Sequence, residues 1–152
     1  MFTVRDLSEL AAQLEKNGEK IYRRALEKVS DPGLVALLQW LADEEADHAR
    51  WFADLAKSDR RRPVSDQLEK MGRQMMADSL KHQAFSLGEA DFDKIVSKKQ
   101  LIELAVEFEE DTVLFYNMLR EFVDDAQALA NLDIIIAEEQ RHIKRLKAFL
   151  DQ

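Results

Sequence analysis

Glu44-Glu45-Ala46-Asp47-His48 and Glu138-Glu139-Gln140-Arg141-His142 are the two stretches whose reading decides the fold of this 152-residue chain. Each is Glu-Glu-x-x-His, and a glutamate and a histidine three residues apart share one face of a helix. Around the first stretch Leu34, Leu37/Leu38, Leu41, Glu45, His48, Phe52 and Leu55 follow steps of three and four. Around the second, Leu129, Leu132, Ile135/Ile136, Glu139, His142, Leu146 and Phe149 keep the same register. In both, the glutamate and histidine stand where an amphipathic helix asks for leucine. Charge at a core position is costly unless it is paired or binds a metal.

Two further helices carry a lone glutamate on their apolar stripes. The first is expected from Asp6 or Ser8, as caps, to about Val29, with Glu15 between Ala11 and Tyr22. The other runs from about Lys99 to Val123, with Glu109 between Ala105 and Tyr116. Glu15, Tyr22, Glu45 and His48 each recur 94 residues later as Glu109, Tyr116, Glu139 and His142. That agreement at a single offset makes each half a helical hairpin, 6–57 and 99–150, and the pair an all-α four-helix bundle in one domain, 1–152. Gly18, one turn past Glu15, lowers helix propensity and implies a close approach to the backbone.

Residues 58–98 are too many for a tight turn and read as a crossover with its own helix. Ser65 or Asp66 can cap that helix, whose apolar side is Leu68, Met71, Met75, Met76 and Leu80; residues 90–96 form a second short element. His82 stands alone there, and Arg60-Arg61-Arg62 reads as a solvated loop. Trp40 and Trp51 flank the second helix's stripe at positions suited to a subunit contact.

The net charge of −8 disfavours nucleic-acid and anionic-membrane partners. With no cysteine there is no disulfide, zinc ribbon or iron–sulfur cluster. The N-terminal residues do not open a signal peptide and no apolar run approaches a membrane span, so a cytoplasmic location is expected.

Carboxylates and imidazoles suit divalent iron or manganese, with no soft thiolate to favour zinc or copper, and zinc is left as an alternative occupant. Two adjacent cations repel, and carboxylates shared between them offset this. Glu45 and Glu139 are therefore read as bridging ligands, His48 and His142 as one terminal ligand per ion, and Glu15 and Glu109 as the remaining terminal carboxylates. Glu44 and Glu138, one step off the stripe, are read as solvated neighbours or as groups that support a ligand, and not as ligands. Tyr22 and Tyr116 are candidates to hydrogen-bond ligand carboxylates or supply an electron.

Leu14-Glu15…Tyr22, Leu41 to Ala49, Phe108-Glu109…Tyr116 and Glu138 to His142 together resemble the rubrerythrin-like branch of the ferritin-like superfamily. The resemblance implies a di-iron bundle, often a dimer, that reacts with oxygen or hydrogen peroxide as a peroxidase or ferroxidase in iron handling or oxidative stress. An iron-sequestering or sensing protein with little turnover is the alternative. Two departures stand out. The four-cysteine rubredoxin domain that feeds electrons to rubrerythrin is missing, which implies an external electron donor. The extra glutamate one turn past the third-helix ligand is Thr112 here. The long crossover would also permit two chains to exchange hairpins.

Overall fold

The computed structural model describes residues 2–58, 61–86 and 95–151, and the side chains of all of these except 82–86 and 95–97. Its helices are α1 (Val4–Leu26), α2 (Pro32–Lys57), α3 (Asp66–Ser86), α4 (Ile95–Arg120) and α5 (Ala126–Leu150). The expected all-α bundle of two hairpins joined by a helical crossover is present. α1 packs on α2 and α4 on α5, α2 touches α5, and α3 lies on both α1 and α4.

The helix ends follow local chemistry. Thr3, not Asp6 or Ser8, caps α1: its side chain accepts from the Asp6 backbone N–H while the Asp6 carboxylate accepts from the Thr3 N–H. This reciprocal box satisfies two donors that a helix start leaves orphaned. α1 ends at Leu26, three residues short of Val29. Pro32 opens α2 behind an Asp31 cap, and Asp125 caps α5. Ser65 accepts from the Leu68 N–H at the start of α3. α4 begins at Ile95, before the expected Lys99, and ends at Arg120, before Val123. Most of the short element expected at 90–96 lies outside the described residues, as do Arg60 and the His82 side chain, whereas residues 95–96 belong to α4.

Tyr22 reaches Glu109 and Tyr116 reaches Glu15, so α1 and α4 run antiparallel. The crossover leaves α2 beside the start of α1, where the Val4 N–H donates to the Arg62 carbonyl and the Val64 N–H to the Phe2 carbonyl. It rejoins at the far end, where Lys98 lies 3.5 Å from Asp31. The core falls into two apolar clusters. One, around Leu7, Phe52, Phe115 and Leu132, includes Leu68 and Met75 of α3. The other, around Tyr22, Leu34, Leu38, Ile102 and Leu146, fills the opposite end. Burying each such large side chain contributes about 1.5–3 kcal/mol. Trp40 and Trp51 find ring partners within the chain, His142 and Phe52.

Candidate metal centre

Between the two apolar clusters lies a polar layer. Glu15, Glu45, Glu109, Glu139, His48 and His142 are all at most 3% exposed. They form two overlapping groups, Glu15–Glu45–His48–Glu139 and Glu45–Glu109–Glu139–His142, each offering four ligand atoms within 4.8 Å of one another. Glu45 and Glu139 belong to both groups. Helix geometry produces this: α2 and α5 each aim a Glu and a His one turn apart at the axis, and α1 and α4 each add one carboxylate.

The two tyrosines cross between the halves. The Tyr22 hydroxyl donates to Glu109 Oε1 at 2.9 Å, and the Tyr116 hydroxyl donates to Glu15 Oε1 at 2.5 Å. Burial, and then the carboxylates beside them, raise both phenol pKa values, so both remain donors. The neighbours Glu138 and Glu44 face the histidine of the opposite half. His48 Nε2 donates to Glu138 Oε2 at 3.0 Å, and His142 Nε2 lies 3.8 Å from Glu44 Oε1. Of the two roles the sequence leaves these acids, solvated neighbour or partner of a ligand, this geometry fits the second.

A test of fit comes from unpaired atoms. Among the described residues, the buried side-chain oxygens and nitrogens without a hydrogen-bond partner are Glu15 Oε2, both Glu45 oxygens, Glu109 Oε2, Glu139 Oε2 and both His142 nitrogens. All belong to the six candidate ligands. Buried polar groups are normally satisfied, and divalent cations among these atoms would satisfy them. Charge agrees: four carboxylates with two neutral imidazoles balance two divalent cations.

Without metal the layer must be neutralised by protons. Burial opposes charge on His48, but contacts with Glu139 and Glu15 outweigh it and push its pKa up to about 12. His142 is likewise raised to about 10 against burial, by Glu109 and Glu139. Burial also opposes ionisation of Glu109, yet contacts with Glu139 and the His142 imidazolium hold it at about 2. Glu15 is lowered for the same kind of reason, through Glu45 and His48. Glu45 and Glu139 move the other way, pushed well up by burial and by the surrounding carboxylates. Two imidazolium ions then balance two carboxylates, and the remaining two carboxyls keep their protons.

A helical bundle with two overlapping Glu/His groups on its axis is the hallmark of the di-iron carboxylate class. Residues 6–150 match the Rubrerythrin family, and the chain belongs to it. A solved structure from Thermotoga maritima, assigned as a ferritin-like diiron-carboxylate protein, superimposes with a TM-score of 0.71 at 19% identity, over 99% of this chain and 95% of that one. At that identity the likeness speaks to the fold. No curated protein sequence matches the chain significantly. No helix among the described residues is long and apolar enough to cross a membrane.

Proposed function

We propose that the chain is a di-iron oxidoreductase that oxidises ferrous iron with dioxygen or reduces hydrogen peroxide. Glu45 and Glu139 would serve both ions, Glu15 and His48 would complete one position, and Glu109 and His142 the other. The observation that carries this reading is the overlap of the two four-residue groups at Glu45 and Glu139. When bound, two irons would supply one electron each to an oxidant and recover them from a reductant.

The chain's own residues set the conditions for that exchange. The Tyr22 and Tyr116 hydroxyls hold Glu109 and Glu15 in place from the opposite half. Glu138 fixes the His48 ring so that Nδ1, 2.8 Å from Glu139 Oε1, faces the layer. The two apolar clusters exclude bulk water above and below. With no cysteine in the chain, reducing equivalents come from an external donor. A cytoplasmic homodimer is the assembly we assign, with hairpin exchange as its variant.

Metal analysis after anaerobic ferrous loading tests the site, and about two irons per chain is expected. Stopped-flow mixing of that protein with peroxide or dioxygen tests the activity. Fast growth of ferric absorption supports an oxidoreductase, faster with peroxide for a peroxidase and with dioxygen for a ferroxidase. Two bound irons that oxidise no faster than free ferrous ion would instead support storage or sensing.

A further inference from the structure

One candidate ligand reaches the surface through a single side chain. The indole of Trp40, on α2, meets the His142 imidazole edge-on, with ring centroids 4.9 Å apart. The exposed Arg145, on α5, lays its guanidinium over the same indole, 4.3 Å from the centroid. Trp40 is half-buried and His142 fully buried, so the indole spans from the outer side of α2 and α5 to the metal layer. Neither His142 nitrogen has a hydrogen-bond partner, and the imidazole rests on this ring contact instead.

Beside Trp40, α5 is charged in one sense. Arg141, Lys144 and Arg145 are exposed and, at three- and four-residue spacing, share one face of the helix. Among the described residues none of the three has a carboxylate partner. The acids on the same stretch of the two helices are engaged elsewhere, Asp43 with Arg23, and Glu44 and Glu138 with the buried histidines. Three cations within two turns set this face apart on a chain of net charge −8.

The 94-residue repeat shows that the bundle does not require this arrangement. The equivalents of Trp40 and Arg145 are Ile134 and Trp51, and those of Arg141 and Lys144 are Asp47 and Arg50. Ile134 is 54% exposed, and Asp47 and Arg50 pair with each other. Trp51 sits edge-on to Phe52, a core residue, and not to His48. Among the described residues, the His48 position therefore has no aromatic link outward and no cationic rim.

We propose that this face is where electrons enter: an acidic one-electron carrier protein docks on Arg141, Lys144 and Arg145, and its electron passes through the contacting rings of Trp40 and His142 to the metal position behind them. The need for electrons rests on the oxidoreductase reading; the docking surface stands apart from it. Tryptophan and arginine are the side chains that most often anchor interfaces, and opposite charge sets a partner's orientation. With no cysteine, the chain carries no thiolate-held relay of its own. Each docking oxidises the carrier by one electron and returns one ferric ion to ferrous. Two dockings restore the pair, and no covalent bond changes.

The first test is binding, followed by NMR on the metal-free full chain, with an acidic plant-type ferredoxin as the probe. Its paramagnetic cluster should broaden the Trp40 indole N–H signal and the backbone signals of Arg141, Lys144 and Arg145, and leave those of Ile134 and Trp51 sharp. Combining Arg141→Glu, Lys144→Glu and Arg145→Glu, or adding salt, should weaken binding about tenfold or more. Broadening centred on another face, or none, would overturn the proposal. So would movement of the same signals with the chain's own concentration, which would mark a contact between copies. The second test mixes the ferric, iron-loaded chain anaerobically with reduced ferredoxin and, separately, with dithionite. At saturating ferredoxin, Trp40→Leu should slow transfer about tenfold or more relative to reduction by dithionite, a loss in transfer and not in docking. Trp40→Phe, which keeps an aromatic ring, should slow it much less. An unaltered ferredoxin rate, or equal slowing with both donors, would overturn the path. Docking at the Trp40 face by a chain that holds fewer than two irons would instead overturn the di-iron reading and leave the surface standing.

Discussion

The two halves of the bundle carry the same candidate ligands at the same spacing, but they hold their histidines differently. His48 is engaged at both ring nitrogens, by Glu139 at 2.8 Å and Glu138 at 3.0 Å. His142 has no hydrogen-bond partner at either nitrogen: Nδ1 faces Glu139 at 3.1 Å, Glu109 at 3.5 Å and Glu45 at 3.6 Å, and Nε2 lies 3.8 Å from Glu44. Its ring is steadied instead by Trp40, edge-on at 4.9 Å, over which the Arg145 guanidinium sits at 4.3 Å. Equivalent sequence thus yields one position oriented by a hydrogen bond and one oriented by packing.

The largest test of this pairing removes what the halves share. Glu45→Ala or Glu139→Ala should lower iron from about two per chain to near zero, whereas Glu15→Ala or Glu109→Ala should leave about one. Metal analysis after desalting decides it, and equal losses in all four variants would break the shared-ligand assignment.

Acidity comes next. Loading two divalent ions displaces the protons of His48, His142, Glu45 and Glu139, about four in all. The overall two-ion constant should then fall by up to about 10,000-fold for each pH unit lowered. Calorimetry in buffers of differing ionisation enthalpy counts the protons directly; release of fewer than about two would contradict the proton-neutralised layer.

A finer probe compares the acids behind the histidines. Glu138→Gln should weaken iron affinity by about 10–100-fold, the usual effect of losing a partner that orients a ligand. Glu44→Gln, at the longer distance, should cost clearly less. Equal effects in competition titrations would show that the difference between the histidines vanishes once metal is bound.

The smallest effect compares two glycines. Gly72→Ala forces a methyl against the fully buried Phe115 and should destabilise the metal-free protein by about 1–2 kcal/mol. Gly18→Ala meets looser contacts and gains about 1 kcal/mol of helix propensity, so it should be near neutral. Urea denaturation in chelator measures both.

Much of this was legible in the chain. The three-and-four stripes through Glu45 and Glu139 defined the helices and their inward faces, and the 94-residue offset joined two short patterns into one six-residue layer. Gly18 announced a close approach, although only the structure names the Glu45 carboxylate as what approaches. Other features were hidden for physical reasons. The Leu68–Met71–Met75 stripe shows that α3 has an apolar side, but periodicity within one helix does not say which groove receives it. The Thr3 cap was missed because Asp6 is itself a good capping residue, and here it serves as the reciprocal partner. The pairing of Glu138 with His48 crosses between halves, and no spacing within one helix encodes that.

The course of the crossover has one more consequence. Because α1 and α4 are antiparallel, a chain leaving α2 beside the start of α1 must travel the length of the bundle before α4 can begin. The 21 residues of α3 span about 30 Å at 1.5 Å each, enough for most of that journey. The segment covers the seam between α1 and α4 from one side: Gly72 abuts Leu10 and Phe115, and seven residues further along both helices Asn17 donates to the Ser79 hydroxyl. A nearly symmetric pair of hairpins therefore acquires one face overlaid by a fifth helix from connectivity alone, without any change to the residues that would bind metal.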